Sequence, residues 1–139
     1  MNKIFIDCNI ILDWVFDRLP FSIYAVKLIT LIENKKITAF TTPLILSNTY
    51  YIIQKKKNRK VADNFLKDCK KVFKILDLTE HITLKAIDNR FVDFEDDVHY
   101  YSALSNNIEY IITRDKSHFE SKNILILTAE EYLILINEI

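Results

Sequence analysis

The sequence predicts an α/β protein with three layers, α/β/α, in which helices cover both faces of a central parallel sheet of four to five strands. Short, mostly apolar stretches alternate with amphipathic helical stretches along the 139-residue chain. The apolar stretches are hydrophobic throughout rather than at every second position, as expected for strands buried on both faces. The chain length and a hydrophobic content of 50% fit a single domain, residues 1–139, with a substantial core.

The first half of the chain is predicted to form a strand, two helices, a second strand and a third helix. These elements span residues 3–7, 8–16, 21–36, 37–42 and 42–57. The first strand is a continuous run of β-branched and aromatic residues. Pro20 separates the first two helices, because proline disrupts a helix interior. Thr42 and Pro43 are typical of an N-cap and a first helical residue, so the third helix is expected to begin there.

The second half is predicted to contain four helices and three strands. The helices span residues 60–71, 79–90, 93–107 and 128–139, and the strands span residues 72–78, 109–115 and 123–127. Thr79 and Thr128 have the character of N-caps, and Glu131, three residues after Thr128, completes a capping box. Strands and helices therefore alternate over the whole chain, which favours parallel pairing of the strands.

Composition excludes several classes of site. The chain contains no glycine, which excludes the glycine-rich loops that bind phosphates and dinucleotides. Left-handed backbone positions must therefore use asparagine or another residue. Cys8 and Cys69 lack the spacing of a disulfide scaffold or a zinc finger, so we expect free thiols. No apolar run is long enough to span a membrane and the chain start does not resemble a signal peptide, so we expect a cytoplasmic protein without membrane association.

Carboxylates stand at three points where predicted strands end or helices begin. Asp7 closes the first strand, and Asp115 closes the strand over 109–115. The segment DFEDD, at a helix start, supplies Asp93, Glu95, Asp96 and Asp97. Sites in open parallel sheets form beyond the carboxyl ends of the strands, so these acids are expected to converge. Clustered carboxylates repel one another unless a cation joins them, and Mg²⁺ or Mn²⁺ suits oxygen ligands. Candidates for additional neutral oxygens are Asn9, Ser47 and Thr113.

Each of these acids alone also has a simpler interpretation. Asp7 fits an N-cap, Asp115 fits a turn, and an acid-rich helix start is favoured by the helix dipole. The metal site depends on the joint arrangement, because caps alone would not gather at one end of one sheet. Three further acids, Asp13, Asp17 and Asp88, are predicted to lie on the surface.

Basic residues are concentrated between positions 55 and 74, where nine Lys or Arg residues accompany only two acids. Lys60, Lys67, Lys71 and Lys74 would share one helical face if the helix continues to Lys74, and such a stripe attracts phosphates. A solvated helix face is the alternative interpretation. Arg114 and Lys116 flank Asp115 and are candidates to hold a substrate there. His99 and His118 lie near the acids in sequence and are candidates for the same region, although a structural role is the favoured interpretation for each.

The acidic motifs resemble those of the PIN-domain family, and within it the VapC-like toxin ribonucleases. Asp-x-Asn follows the first strand, and DFEDDVHYYSAL is followed by EYIITRDKSHF. The resemblance spans residues 3 to 127, roughly. It implies a small α/β nuclease that uses Mg²⁺ or Mn²⁺ to cleave RNA, paired with a cognate antitoxin protein and assembled as a homodimer. It further implies that Asp7, Asp96 and Asp115 are the metal-binding, catalytic acids, with Asp93 and Thr113 beside them.

One family acid is missing. The resemblance places a glutamate in the helix over 42–57, but that helix contains no acid, and Asn48, next to Ser47, stands at about its position. A PIN-like module that binds RNA or protein without cutting is therefore an alternative function. A receiver-like phosphoacceptor domain is a third possibility. It would need two acids after the first strand and a lysine after a late one, and FIDCN and IITRD supply neither.

Overall fold

The fold is a parallel sheet between two layers of helices, and the computed structural model describes it over residues 2–90, 93–116 and 123–139. The strands are β1 (Lys3–Ile6), β2 (Thr38–Thr41), β3 (Lys74–Ile75), β4 (Tyr110–Ile112) and β5 (Leu125–Leu127). The helices are α1 (Cys8–Phe16), α2 (Phe21–Glu33), α3 (Pro43–Lys56), α4 (Arg59–Val72), α5 (Glu80–Asp88), α6 (Phe94–Ser105) and α7 (Ala129–Leu135). The predicted three-layer α/β class and the order of the elements are confirmed.

The strand order is β3-β2-β1-β4-β5, with every neighbouring pair parallel. From β1 the chain moves outward to β2 and β3, and it then returns across the sheet to β4 on the other side of β1. The direction of winding therefore reverses between β1 and β4. In open α/β sheets, this reversal opens a crevice beyond the carboxyl ends of the two central strands, where ligands bind.

The two helical layers follow from this winding. Helices α1, α2, α3, α4 and α7 contact one another, whereas α5 packs against α6. Right-handed crossovers place helices on one face when the chain moves outward and on the opposite face when it returns. Helix α6 therefore reaches β1 and β4 from the face opposite α1, and this brings side chains from both layers to the crevice.

Burial on both faces explains why β1 and β4 consist mainly of apolar residues. Ile4, Phe5 and Ile6 of β1 are fully buried, as are Ile111 and Ile112 of β4. Strands covered on both faces bury residues of both orientations, so the carboxyl-terminal halves of β1 and β4 are apolar up to their last residues. Asp7 and Thr113, the first residues after β1 and β4, are thus the first polar groups that the sheet presents to the crevice.

Several boundaries differ from the predicted ones: the strand expected over 109–115 ends at Ile112, and the helix expected over 128–139 ends at Leu135. The strand expected over 72–78 is only two residues long, because α4 continues through Val72 and both residues of this edge strand are exposed. Helix α2 ends at Glu33 rather than at residue 36, and the chain turns through Lys35, which has a φ of 60°.

Left-handed backbone positions are filled without glycine, as the composition requires. The residues with positive φ are Asp17, Lys35, Asn107 and Asn137. Two of these are the expected asparagines, and Asp17 is the C-cap of α1. Both cysteines are free thiols, as predicted. In the ranges that the structure describes, no helix is long and apolar enough to cross a membrane.

Candidate active site

Asp7 lies at the reversal point and connects β1, α1 and β4. Its backbone N–H donates to the carbonyl of Ile112, 3.0 Å away. Its Oδ1 accepts a hydrogen bond of 2.8 Å from the backbone N–H of Cys8, so Asp7 is the N-cap of α1. Its Oδ2 accepts a second bond of 2.8 Å, from the hydroxyl of Thr113. Asp7 is therefore both a cap and a carboxylate held in the crevice.

Thr113 joins the two predicted strand-end acids. Its side chain is fully buried, and its hydroxyl oxygen, besides donating to Asp7, accepts a bond of 3.2 Å from the backbone N–H of Asp115. Asp115 is half-buried. A continuous hydrogen-bonded connection thus runs from Asp7 through Thr113 to the backbone of Asp115, and it fixes the relative positions of β1 and the segment after β4.

The acids of DFEDD have separate environments. Asp93 caps α6, accepting a bond of 3.3 Å from the backbone N–H of Asp96. Asp97 is buried, and its Oδ2 lies 3.3 Å from Nε of Arg90 in an ion pair. Asp96 is half-buried in the first turn of α6. Capping and ion pairing thus give Asp93 and Asp97 structural partners of their own.

Glu95, in the same turn, reaches across to α3. Its Oε1 accepts a bond of 2.8 Å from Nδ2 of Asn48. One helical turn further along α6, Nε2 of His99 lies 3.8 Å from the same oxygen. This His99 imidazole lowers the pKa of Glu95, the Asn48 bond lowers it further, and burial opposes both. Sequence reasoning grouped Glu95 with the other acids but did not single it out.

Helix α3 also contacts α1 next to Asp7. Sγ of Cys8 lies 3.3 Å from Oγ1 of Thr49. Burial raises the pKa of the Cys8 thiol, and the negative charges of Asp7 and Glu95 raise it further. Both carboxylates therefore act on one thiol between them. Of the other predicted supporting residues, Asn9 is half-buried in α1 and Ser47 lies on the exposed side of α3.

A buried acid beside the crevice was not predicted. Asp13 was expected on the surface, but it is fully buried, so that prediction is wrong; Asp17 and Asp88 are exposed as predicted. Oδ1 of Asp13 accepts a bond of 2.8 Å from Nε of Arg18, and Oδ2 lies 3.1 Å from Nε of Arg114. Burial raises the pKa of Asp13 even though both guanidinium groups lower it. Its position three residues after the buried Ile10 was the available signal.

The two cations that flank Asp115 both have acidic partners. Arg114 pairs with Asp13, and its guanidinium carbon lies 4.1 Å from the ring centre of Phe21. These groups line a cavity of about 330 Å³ between α1, α2 and the start of α7. Nζ of Lys116 contacts both carboxylate oxygens of Glu131, at 2.9 and 3.0 Å. His118 lies outside the described residues.

The basic stripe is only partly as expected. Lys60, Lys67 and Lys71 are exposed on α4, but the helix ends at Val72, so the prediction that Lys74 shares its face is wrong. Lys71 and Lys74 line a cavity together with Thr38, the first residue of β2. They therefore lie toward the amino ends of the strands, on the opposite side of the sheet from Asp7.

The donor chemistry of the crevice fits a hard divalent cation. The acids offer only oxygen atoms, and His99 is buried with neither ring nitrogen bonded to any described group. Within the described ranges, no three His, Cys, Asp or Glu side chains are close enough together to hold an ion by themselves. Mg²⁺ does not require such a cage, because it binds through one or two carboxylates and retains several waters.

One protein family, one curated relative and several solved structures are similar to this chain. A family model described as PIN domain matches residues 3–117. Ribonuclease VapC1 of Aquifex aeolicus (strain VF5) is 30% identical, over 94% of this chain and 93% of that protein. A chain of the Rickettsia felis VapBC2 complex, solved with a promoter DNA fragment, superposes with a TM-score of 0.70 at 14% identity, covering 89% of this chain and 96% of its own. Mycobacterium tuberculosis VapC20, described as a sarcin-ricin loop cleaving toxin, gives 0.67 at 15% identity, covering 83% and 92%.

Proposed function

Because this chain belongs to the PIN-domain family, we propose that it is a metal-dependent endoribonuclease that cleaves phosphodiester bonds in RNA. The observation that carries the proposal is the hydrogen-bonded connection from Asp7 through Thr113 to the backbone of Asp115. It lies at the reversal point of the sheet, where α/β proteins bind their ligands. A cap requires only one oxygen of Asp7, and the buried Thr113 hydroxyl fixes the second oxygen as well, which suits an acid that must be held in position to bind a ligand.

We further propose that the protein is the toxin of a type II toxin–antitoxin pair, acting in the cytoplasm. The support is the 30% identity to a VapC ribonuclease over nearly the whole of both chains, together with the structural similarity to chains of VapBC complexes. The partners that follow from this proposal are RNA as substrate, a cognate antitoxin protein and a second copy of the chain.

In this proposal Asp7, Asp96 and Asp115 bind Mg²⁺ or Mn²⁺. When bound, such an ion makes its water more acidic and neutralises charge on the phosphate. The chain's own contribution is positional. The Cys8 N–H and the Thr113 hydroxyl each occupy one oxygen of Asp7, and each carboxylate oxygen has a further lone pair to offer. Asp93 supports Asp96 indirectly, by capping the turn in which Asp96 lies.

Arg114 and Lys116 are the proposed RNA contacts nearest the acids, because they flank Asp115 in sequence. Their pairing with Asp13 and Glu131 pre-orients both side chains, and Arg114 retains a side-chain exposure of 28%. Lys60 and Lys67 are exposed on α4 and are proposed to contact the RNA backbone further away. Because these contacts are with phosphates, we expect RNA binding to weaken as salt concentration rises.

The direct test is cleavage of a structured RNA pool by purified protein, with Mg²⁺ or Mn²⁺ added. Asp7→Asn keeps the cap but removes the charge, and we expect it to lower the cleavage rate by about a hundredfold or more. Asp88→Asn, the same change at an exposed position on α5, is the matched control and should cleave like the wild type. Cleavage that persists in Asp7→Asn, or that is absent from folded wild type with either metal, contradicts the proposal.

A second function, a PIN-like module that binds RNA or protein without cutting, is favoured by one observation. Helix α3 presents Asn48 where the family resemblance places an acid, and a site with one fewer carboxylate holds a divalent cation less tightly. Gel-shift binding of RNA that is equal in wild type and Asp7→Asn, with no cleavage by either, would identify this function instead.

A further inference from the structure

Asn48, at the position where α3 lacks an acid, contacts a carboxylate on another helix. Asn48 donates from Nδ2 to Oε1 of Glu95 over 2.8 Å, although the two residues are 47 positions apart in sequence. The amide therefore points at a carboxylate from the position where an acid of its own was expected. The contact joins α3 to the first turn of α6, which also carries Asp96.

Among the acids of that first turn, Glu95 has the environment of a site residue. Asp97 is buried against Arg90, and Asp93 caps the helix. Glu95 lies on the side of α6 that faces α3, where it contacts Asn48. Thr49, the next residue of α3, contacts Cys8, the residue after Asp7. Its side chain keeps an exposure of 46%, so a ligand in the crevice can reach it.

His99 is an independent indication that something binds at this position. Its side chain is only 1% exposed, and its ring packs against Phe5 with ring centres 5.5 Å apart. Among described residues neither ring nitrogen has a hydrogen-bond partner, and Nε2 lies 3.8 Å from Oε1 of Glu95, too far for a hydrogen bond. Buried polar groups are nearly always satisfied, so an unsatisfied Nε2 beside the carboxylate of Glu95 suits a further polar group there, such as a water of a hydrated ion.

We propose that Glu95 supplies the carboxylate that α3 lacks, and that Asn48 is the residue that positions it. The proposal rests on the proposed function, since the ligand is the same divalent cation. In this chain the carboxylate at the contact between α3 and α6 is on α6, and the amide is on α3. Glu95 would then act with Asp7, Asp96 and Asp115 on a cation that keeps several of its waters, each acid binding it directly or through a water, and the absence of an acid in α3 does not imply an inactive protein.

The test is Mn²⁺ affinity, measured by the electron paramagnetic resonance signal of free Mn²⁺ without any RNA present. We expect Glu95→Gln to weaken binding by about tenfold or more. The double variant Asn48→Glu with Glu95→Gln returns the acid to α3 opposite an amide, and it should recover affinity to within about threefold of the wild type. Asn48→Ala, which removes only the positioning bond, should fall between the wild type and Glu95→Gln.

Glu80→Gln is the matched control, because Glu80 is also a first-turn acid and the change in net charge is the same. Far-UV circular dichroism establishes that each variant is folded, and if Glu95→Gln does not fold, Glu95→Asp replaces it with the same expected loss. Wild-type affinity in Glu95→Gln together with loss in Asp7→Asn overturns the role of Glu95 and leaves the proposed nuclease intact. No Mn²⁺ binding by folded wild type overturns both.

Discussion

Asp13 offers the sharpest test of how the crevice is held together. It is fully buried and faces two guanidinium groups, Arg18 at 2.8 Å and Arg114 at 3.1 Å. Asp13→Asn keeps the shape and removes the charge. The asparagine oxygen can still accept from Arg18, but its neutral NH₂ group takes the place of the oxygen 3.1 Å from Nε of Arg114, so that guanidinium loses its ionic partner. The perturbation therefore falls mainly on Arg114, the residue before Asp115.

The expected loss of stability is modest. Removing one partner of a buried ion pair costs roughly 3–5 kcal/mol when the other charge stays buried. Here the arginine side chains are 31% and 28% exposed, so water can reach both charges when the carboxylate is gone. Replacing the carboxylate also removes the desolvation cost of the buried negative charge, and this offsets part of the remaining loss of stability. We expect a decrease of about 1–2 kcal/mol in the free energy of unfolding at pH 7, or roughly 3–8 °C in Tm.

The pH dependence has a defined sign. Burial raises the pKa of Asp13 in the folded state above its ordinary value of 3.8. The folded protein then binds the proton more tightly than the unfolded chain, so this group's contribution to stability declines as pH rises from the ordinary value to the raised one. Asn cannot titrate, so the stability difference between wild type and Asp13→Asn should be smaller at pH 7.5 than at pH 4.5.

Two assays separate stability from positioning. Urea unfolding gives the free energy, and RNA cleavage gives kcat/KM, which we expect to fall about tenfold as Arg114 loses its orientation. In a double-mutant cycle, Asp13→Asn should have no additional effect on kcat/KM in an Arg114→Met background, because it acts through that arginine. Asp88→Asn is the control for a lost surface charge. Unchanged kcat/KM in Asp13→Asn, or effects that add fully in the cycle, would refute the reasoning.

Three further predictions follow from other contacts. Thr113→Val removes the hydroxyl that donates to Asp7, and we expect it to lower the free energy of unfolding by about 1–2 kcal/mol and the RNA cleavage rate at least tenfold. Thr113→Ser keeps the donor and should recover most of the stability and most of the cleavage rate. Burial raises the pKa of the Cys69 thiol to about 12, so a disulfide reagent at pH 8 should not modify Cys69 until the protein unfolds. Rapid labelling of both thiols in the folded protein would contradict this. The double variant Lys60→Gln with Lys67→Gln should reduce the magnitude of the slope of log affinity for single-stranded RNA against log salt concentration by about 1.4. The control, Lys71→Gln with Lys74→Gln, lies at the far edge of the sheet and should leave this slope unchanged.

Much of the fold could be predicted because its signals are local. Thr42 caps α3 and Thr128 begins α7 in a capping box, both as the sequence indicates, since a cap needs only residues within one turn. The placement of Asp7 and Asp115 beyond β1 and β4 was equally accessible. It requires only that two apolar strands be parallel, which brings the residues after them to the same edge.

The remaining site residues depend on partners that are distant in sequence. Asp13 pairs with Arg114, about a hundred positions later, and although its spacing from Ile10 indicates burial, nothing near it in sequence indicates this partner. The distinction between Glu95 and its neighbours likewise depends on Asn48 and Arg90. The basic stripe failed at Lys74 for a local reason, because β-branched and apolar residues around Val72 fit the end of a helix as well as the start of a strand.

The hydrogen bond between Asp7 and Thr113 closes a loop of 106 residues. During synthesis, Asp7 leaves the ribosome early, and Thr113 becomes available only after most of the chain has been made. Any activity that requires this carboxylate in place is therefore absent from nascent chains and from truncated products that end before β4. The two halves of this site are therefore synthesised at opposite ends of the domain, and the site can form only when translation of the domain is nearly complete.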